Sequence, residues 1–330
     1  MTDQHEPGSS KRLWLEETLQ DDLKWCFSVK SILHTGKSKF QDVELVETGP
    51  FGKVLLLDGK LQSAESDEKV YHECLVQLAM LHHPSPKQVY ICGGGEGATL
   101  REVLRNKVVE KCVMVDIDQV VVDFCKAHLT DNTDAFNDKR TDLIVDDARA
   151  ILEKAPDASF DIIVGDLADP VYGGPCYQLY TQEFYENVVK RKLKPDGIFV
   201  TQSGPCGHSS HTEVYTTIHN TLRTVFAKVV PYAAHVPSFA DTWGWQLCFT
   251  EGALAAAKAN GGDPLLTQDK LDALIAERFG PDGLSFLDGR TIHGVASLNK
   301  GVRKSLENET SIYTVDNPVF IHGSGIKTLV

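Results

Sequence analysis

The sequence predicts an α/β protein in which a small antiparallel β region precedes a doubly wound parallel sheet. Three observations predict it. From residue 87 onward, short apolar runs alternate with helical periodicity: Val89-Tyr90-Ile91-Cys92, Cys112-Val113-Met114-Val115, Leu143-Ile144-Val145, Phe160 to Val164 and Ile198-Phe199-Val200. Strands covered by helices on both faces read this way. The first four runs lead directly into Gly93, Asp116, Asp146 and Gly165-Asp166, so acidic and flexible residues collect at the strand ends where such sheets bind ligands. Before residue 66 the pattern is different. Val43 and Leu45 alternate with polar residues, and Val54-Leu55-Leu56-Leu57 is followed by Asp58-Gly59, a hairpin signal of the I′ type.

Taken in order, residues 1–12 are polar and are expected to form a disordered tail. They contain no apolar core of a signal peptide. Residues 13–66 are assigned to the N-terminal β-hairpin domain, with Gly49-Pro50 as a further turn. Residues 67–252 are assigned to the catalytic domain. It opens with a helix over 66–82, capped by Ser66, whose Val70, Cys74, Leu75, Leu78 and Leu81 share one face. Pro84 and Pro86 end that helix. Further helices are expected from Thr99 to Leu104 and from Val120 to Ala127. Residues 253–330 form an extension expected to pack on the catalytic domain, with a helix from Leu265 to Phe279.

Composition narrows the function. Hydrophobic residues make up 42% and charged residues 24%, ordinary globular usage. The net charge of −13 argues against nucleic acid, which needs a basic footprint, and suits cationic ligands. No run of about 18 apolar residues is present, so no membrane span is expected. The eight Cys are scattered without a C-x-x-C pair, which fits reduced thiols in a cytoplasmic protein. His82-His83 and the nearby His208 and His211 lack the companions of a metal site, and no metal is expected.

Four motifs carry chemistry. Gly93-Gly94-Gly95-Glu96-Gly97-Ala98 is a Gly-rich strand-to-helix turn that lets a nucleoside ligand approach the backbone. Glu96 within it would repel a pyrophosphate and welcome an ammonium. Asp116 ends the next strand about 20 residues on, where a carboxylate takes ribose hydroxyls. Asp146-Asp147-Ala148 ends the strand after that; its carboxylates suit either an adenine amino group or a helix cap. Asp166 closes the following strand with Asp169-Pro170 three residues later. Two carboxylates so close together make an anionic pocket for an amine.

These motifs, with Phe40-Gln41-Asp42, Asp67-Glu68 and Tyr71-His72-Glu73, resemble the spermidine/spermine synthase family of aminopropyltransferases. Gly165 to Pro170, Gly173 to Tyr180, His235 to Trp245 and Phe320-Ile321-His322-Gly323 are similar to its plant-type thermospermine-forming branch. The resemblance runs from about Trp14 to Gly325. It implies a Rossmann-like fold of the class I methyltransferase type. It also implies transfer of the aminopropyl group of decarboxylated S-adenosylmethionine to spermidine, giving thermospermine and methylthioadenosine. The donor is a cosubstrate, no cofactor is implied, and a homodimer or homotetramer is expected.

Carried over by position, the resemblance places Gln41 over the nucleoside, with Gly93 and Gly95 in the donor loop. Glu96 falls on the donor's ammonium, Asp116 on the ribose, and Asp146 and Asp147 by the adenine. Asp166 falls on the catalytic base, and Tyr71 and Asp169 beside the attacking amine. His72, Phe239, Asp241 and Trp243 complete the acceptor end. His72 stands where Gln is usual, Phe239 where a Tyr commonly binds the diamine, and Asp146-Asp147-Ala148 where Gly-Asp-Gly is usual. The acceptor end is therefore rebuilt, which favours an amine longer than putrescine. Spermine or spermidine synthesis, a small-molecule methyltransferase, an NAD-dependent oxidoreductase and a non-catalytic polyamine binder are the alternatives. Donor preference, a nicotinamide signal and methylthioadenosine release separate them.

Overall fold

The computed structural model describes residues 13–20, 22–174, 176–280 and 283–321. The expected tail over 1–12 and the His322-Gly323 end of the C-terminal motif lie outside them. The chain divides into two compact units: residues up to Glu68 together with Ser238–Ala240, and Lys69–Pro237 together with the residues from Asp241 on.

The first unit is a five-stranded antiparallel meander of β1 (Leu13–Gln20), β2 (Leu23–Lys37), β3 (Asp42–Thr48), β4 (Lys53–Leu57) and β5 (Lys60–Ala64), in that order. Asp58 and Gly59 join β4 to β5 with φ of 50° and 71°, the left-handed pair an I′ turn requires. Phe27, Val29, Val46, Phe51, Val54, Leu56, Leu61 and Ala64 form its core, with Phe239 packed against them. The expected cap at Ser66 is corrected: α1 (Glu68–His82) begins two residues later, and Ser66 lies in the preceding turn.

The second unit is built on a seven-stranded sheet. Five of its strands are β6 (Gln88–Gly93), β7 (Lys111–Asp116), β8 (Thr141–Val145), β9 (Phe160–Asp166) and β10 (Leu193–Pro205). The other two are β11 (Lys228–Val236) and β12 (Asp241–Phe249). The order is β11-β12-β10-β9-β6-β7-β8. Strands β10, β9, β6, β7 and β8 are mutually parallel, while β12 runs antiparallel to both β10 and β11. The sheet is therefore mixed at one edge, where the sequence suggested a wholly parallel one.

The layers beside the parallel strands include α2 (Ala98–Leu104), α3 (Gln119–His128), α4 (Thr133–Asn137) and α5 (Ala148–Lys154). After β9, α6 (Gln182–Phe184) and α7 (Lys190–Lys192) flank a π turn over Tyr185–Val189, and α8 (Tyr215–Arg223) precedes β11. The C-terminal residues form α9 (Glu251–Ala259), α10 (Gln268–Phe279), α11 (Gly289–Val295) and α12 (Lys300–Asn308).

Helix α1 buries more than the face of Cys74, Leu75, Leu78 and Leu81: Tyr71 through His82 are all buried. Its polar residues are matched instead of solvated. Glu73 accepts the backbone N–H groups of Ser285, Phe286 and Leu287, and Gln77 bonds Glu102. A buried carboxylate persists only when so satisfied. All eight cysteines are free, with Cys26 exposed and Cys176 half-buried. Among the described residues no helix is long and apolar enough to cross a membrane.

Candidate active site

The C-terminal ends of β6, β7 and β9 meet at the Gly loop. Gly93, Gly94 and Gly97 have φ of 83°, 79° and 93°, a region L side chains rarely enter. At Gly93 an added Cβ would sit 2.1 Å from the backbone oxygen of Asp166, because β6 and β9 pair there. The Gly94 N–H donates to that same oxygen at 3.1 Å. The loop is thus tied to the end of β9 by its backbone.

Asp116 at the end of β7 locks the other side. Its Oδ2 accepts from the Gly95 N–H at 2.9 Å and its Oδ1 from the Asp118 N–H at 2.9 Å. Burial holds its carboxyl above the usual carboxylate range. The two N–H bonds oppose that shift, and the charges of Asp118 and Asp166 add to it. Asp118 in turn caps α3.

Asp166 is gripped at both oxygens. Tyr71 Oη donates to Oδ1 at 3.2 Å, and Thr99 Oγ1 donates to Oδ2 at 2.7 Å. Two donors fix the carboxylate's plane at the mouth of the sheet. Tyr71 is itself buried, which pushes its phenol well above its ordinary value. The charges of Asp166 and Asp169, the bond to Asp166 and the charge of Glu96 push it the same way. Three carboxylates therefore act on one phenol, and Tyr71 stays a donor. Its ring packs edge-on against His72 at 5.0 Å and Trp245 at 5.6 Å, and Trp245 stacks on Tyr232 at 5.7 Å.

Asp169 is held from β10. Gln202 Nε2 donates to Asp169 Oδ1 at 3.1 Å, to the Leu167 carbonyl at 2.7 Å and to Tyr180 Oη at 2.7 Å. Its Oε1 accepts from the Gly204 N–H at 2.7 Å and from Trp243 Nε1 at 3.2 Å. Gln202 thus joins Asp169 to Trp243.

The structure brings Tyr71, Gly93, Gly95, Glu96, Asp116, Asp166, Asp169 and Trp243 to one end of the sheet, with His72 on the same helix as Tyr71. Asp146 and Asp147 are exposed at the end of β8, and Asp147 caps α5 by accepting from Arg149 and Ala150 N–H through Oδ1. Its charge still reaches the thiols of Cys92 and Cys176. Asp241 is turned elsewhere, accepting from Ser210 Oγ and from the Thr242 N–H. Gln41 and Phe239 belong to the first unit. Gln41 precedes β3 with its N–H on Ser38 Oγ at 3.0 Å, and Phe239 joins that unit's core.

Sequence reasoning missed Thr99 and Gln202. Both gave a signal: a polar residue in an otherwise apolar stretch, Thr99 in the first turn of α2 and Thr201-Gln202-Ser203 in the part of β10, from Gly197 on, that is buried. Among the described residues no group of three or more His, Cys, Asp or Glu is placed to hold a metal ion.

Comparison with known proteins shows the family of the chain. A spermine/spermidine synthase domain model matches residues 68–258, and a spermidine synthase tetramerisation domain model matches residues 13–65. Thermospermine synthase ACAULIS5 of Arabidopsis thaliana is 52% identical over 313 residues, 95% of this chain and 88% of that protein. A polyamine aminopropyltransferase of Aeropyrum pernix is 38% identical over 311 residues, 93% of this chain and 95% of that protein. The crystal structure of spermidine synthase from Thermotoga maritima superposes with a TM-score of 0.78 at 24% identity, covering 92% of this chain and 98% of that one. A spermidine synthase in complex with the transition state analogue AdoDATO gives a TM-score of 0.80 at 24% identity, with the same coverage.

Proposed function

The chain belongs to the spermine/spermidine synthase family, and on that premise we propose that it transfers the aminopropyl group of decarboxylated S-adenosylmethionine to spermidine, releasing methylthioadenosine and forming thermospermine. The observation that carries the chemistry is the clamped carboxylate of Asp166, held by Tyr71 and Thr99 beside the Gly loop.

The donor's sulfonium is already an activated leaving group, so the reaction is a direct displacement. The amine nitrogen attacks the methylene beside sulfur, the N–C bond forms as the C–S bond breaks, and methylthioadenosine leaves with the electron pair. Positioning supplies most of the help. An aliphatic amine near 10.4 must still lose a proton, and an ordinary Asp lies near 3.9, a gap of about 6 units or roughly 9 kcal/mol. Desolvation and the adjacent sulfonium must narrow it.

In this reading Asp166 accepts the proton, while Tyr71 and Asp169 hold the nitrogen and Gln202 holds Asp169. Glu96 takes the donor's ammonium, Asp116 the ribose hydroxyls and Asp147 the adenine amino group. His72 and Trp243 shape the acceptor end. No further cofactor is required. A homodimer or homotetramer formed through the β1–β2 face completes the reading. The tetramerisation-domain match and the exposed Leu13, Trp14, Leu23 and Ile32 of these two strands support it.

Incubation with spermidine and the decarboxylated donor, followed by chromatographic separation of thermospermine from its isomer spermine, tests the proposal. Thermospermine with equimolar methylthioadenosine supports it. Spermine alone corrects the regiochemistry, and no methylthioadenosine refutes the activity.

A further inference from the structure

The loop after β9 carries Asp169, yet residues 167–171 have no helix or strand of their own. Its position is set by bonds from outside. Gln202 reaches Leu167 and Asp169, and Tyr180 Oη donates to the Ala168 carbonyl at 3.1 Å. The next carbonyl along the loop after Asp169, that of Pro170, accepts from the Ile321 N–H at 3.0 Å.

That donor closes a long C-terminal run. Beyond α12, Glu309 accepts from Thr216 and Thr217 on α8. The Tyr313 N–H donates to Thr221 Oγ1 at 2.8 Å, and the Tyr313 carbonyl accepts from the Gln182 N–H at 2.8 Å. Tyr313 and Ile321 are 0% and 2% exposed, in the same apolar core as Leu167, Leu179 and Tyr180. Phe320 stands edge-on to Tyr172 at 5.5 Å and tilted to Tyr177 at 5.9 Å. Tyr172 lies in the Asp169 loop and is 61% exposed. The run lies beyond the family domain match, which ends at residue 258.

We infer that residues 313–321 are a strap that fixes the Asp169 loop, with Phe320 and Ile321 as positioning residues for the amine acceptor. The inference rests on the reading of Asp169 as a carboxylate that holds the amine. Anchored at Thr221 and Gln182, the strap places a backbone donor and an aromatic edge on the loop one to three residues past Asp169. Gln202 holds Asp169 itself, from β10. Loosening the strap widens the range of Asp169 positions without touching the Gly loop or Asp116.

The test compares Phe320→Ala with Phe320→Tyr. One aromatic pair corresponds to about a three- to tenfold effect. Phe320→Ala is expected to raise the KM for spermidine by that factor, with kcat and methylthioadenosine affinity within twofold of the parent. Amide hydrogen exchange over residues 167–174 should quicken, and Phe320→Tyr should restore both. Tyr172→Ala, which removes the same contact from the loop side, repeats the test should Phe320→Ala fail to fold. Unchanged exchange and KM would overturn the inference, as would equal losses in donor and acceptor binding. A parent that protects the loop but does not use spermidine refutes the acceptor assignment alone, and the exchange comparison still decides the strap.

Discussion

Tyr71 Oη donates to Asp166 Oδ1 at 3.2 Å across 95 residues of sequence, joining the first helix of the catalytic unit to the end of its central strand. Thr99 Oγ1 takes the other oxygen at 2.7 Å. A hydrogen bond to a charged group contributes about 1.5–3 kcal/mol, or roughly 10- to 150-fold. Tyr71→Phe and Thr99→Val should each lower kcat/KM within that range while leaving methylthioadenosine affinity nearly unchanged. Isothermal titration beside steady-state kinetics checks both. Because the Tyr71 phenol is pushed well above its ordinary value, no activity loss from its ionisation is expected below about pH 10.

Asp116 is held at a cost. Its folded-state pKa lies above 3.8, chiefly through burial, so the folded protein keeps the proton longer than the unfolded chain. Stability is therefore lost as pH rises from 3.8 through the shifted value. Asp116→Asn escapes that loss but gives up an acceptor for one N–H. The melting-temperature difference, variant minus parent, should move in the variant's favour between pH 3 and pH 7. Methylthioadenosine binding should weaken about tenfold or more. Parallel melting curves at every pH would refute the linkage.

His82 governs the acid side. It is buried, with Nδ1 on the Leu78 carbonyl at 2.7 Å and Nε2 accepting from the Leu266 N–H at 3.1 Å, so the ring is neutral. Burial lowers its pKa from 6.5 to about 4. The unfolded chain takes up the proton first. Stability present above pH 6.5 is lost as pH falls towards 4, by about 3 kcal/mol for this group. His219, buried beside Gln246 and also lowered to about 4, adds a second step. Urea unfolding of His82→Gln from pH 7 to pH 4 should show a shallower loss than the parent.

Much of the fold was legible because parallel strands advertise themselves. Val89 to Cys92 and Cys112 to Val115 are apolar on both faces, and Gly93 and Asp116 mark their ends. The antiparallel pair β11 and β12 was not, since Pro231, His235 and Asp241-Thr242 interrupt its apolar pattern, although Tyr232, Trp245, Leu247 and Phe249 are fully buried. Helix α1 was only partly legible for a related reason: Glu73 and Gln77 are polar, and only their distant partners at Ser285 and Glu102 explain their burial. In the site, strand-end carboxylates were visible by position. Thr99 and Gln202 were not, because their task is defined by Asp166 and Asp169 more than 30 residues away. Asp241 shows the converse, a polar residue in a suggestive motif whose bonds go to Ser210 and its own neighbour.

The role of Asp166 is tested most directly by single-turnover kinetics of Asp166→Asn with the donor and spermidine. The amide keeps the shape and loses the proton acceptor. Turnover is predicted to fall by about 10²- to 10⁴-fold, with methylthioadenosine affinity within a few fold of the parent. Near-normal turnover would contradict the assignment of Asp166 as the proton acceptor.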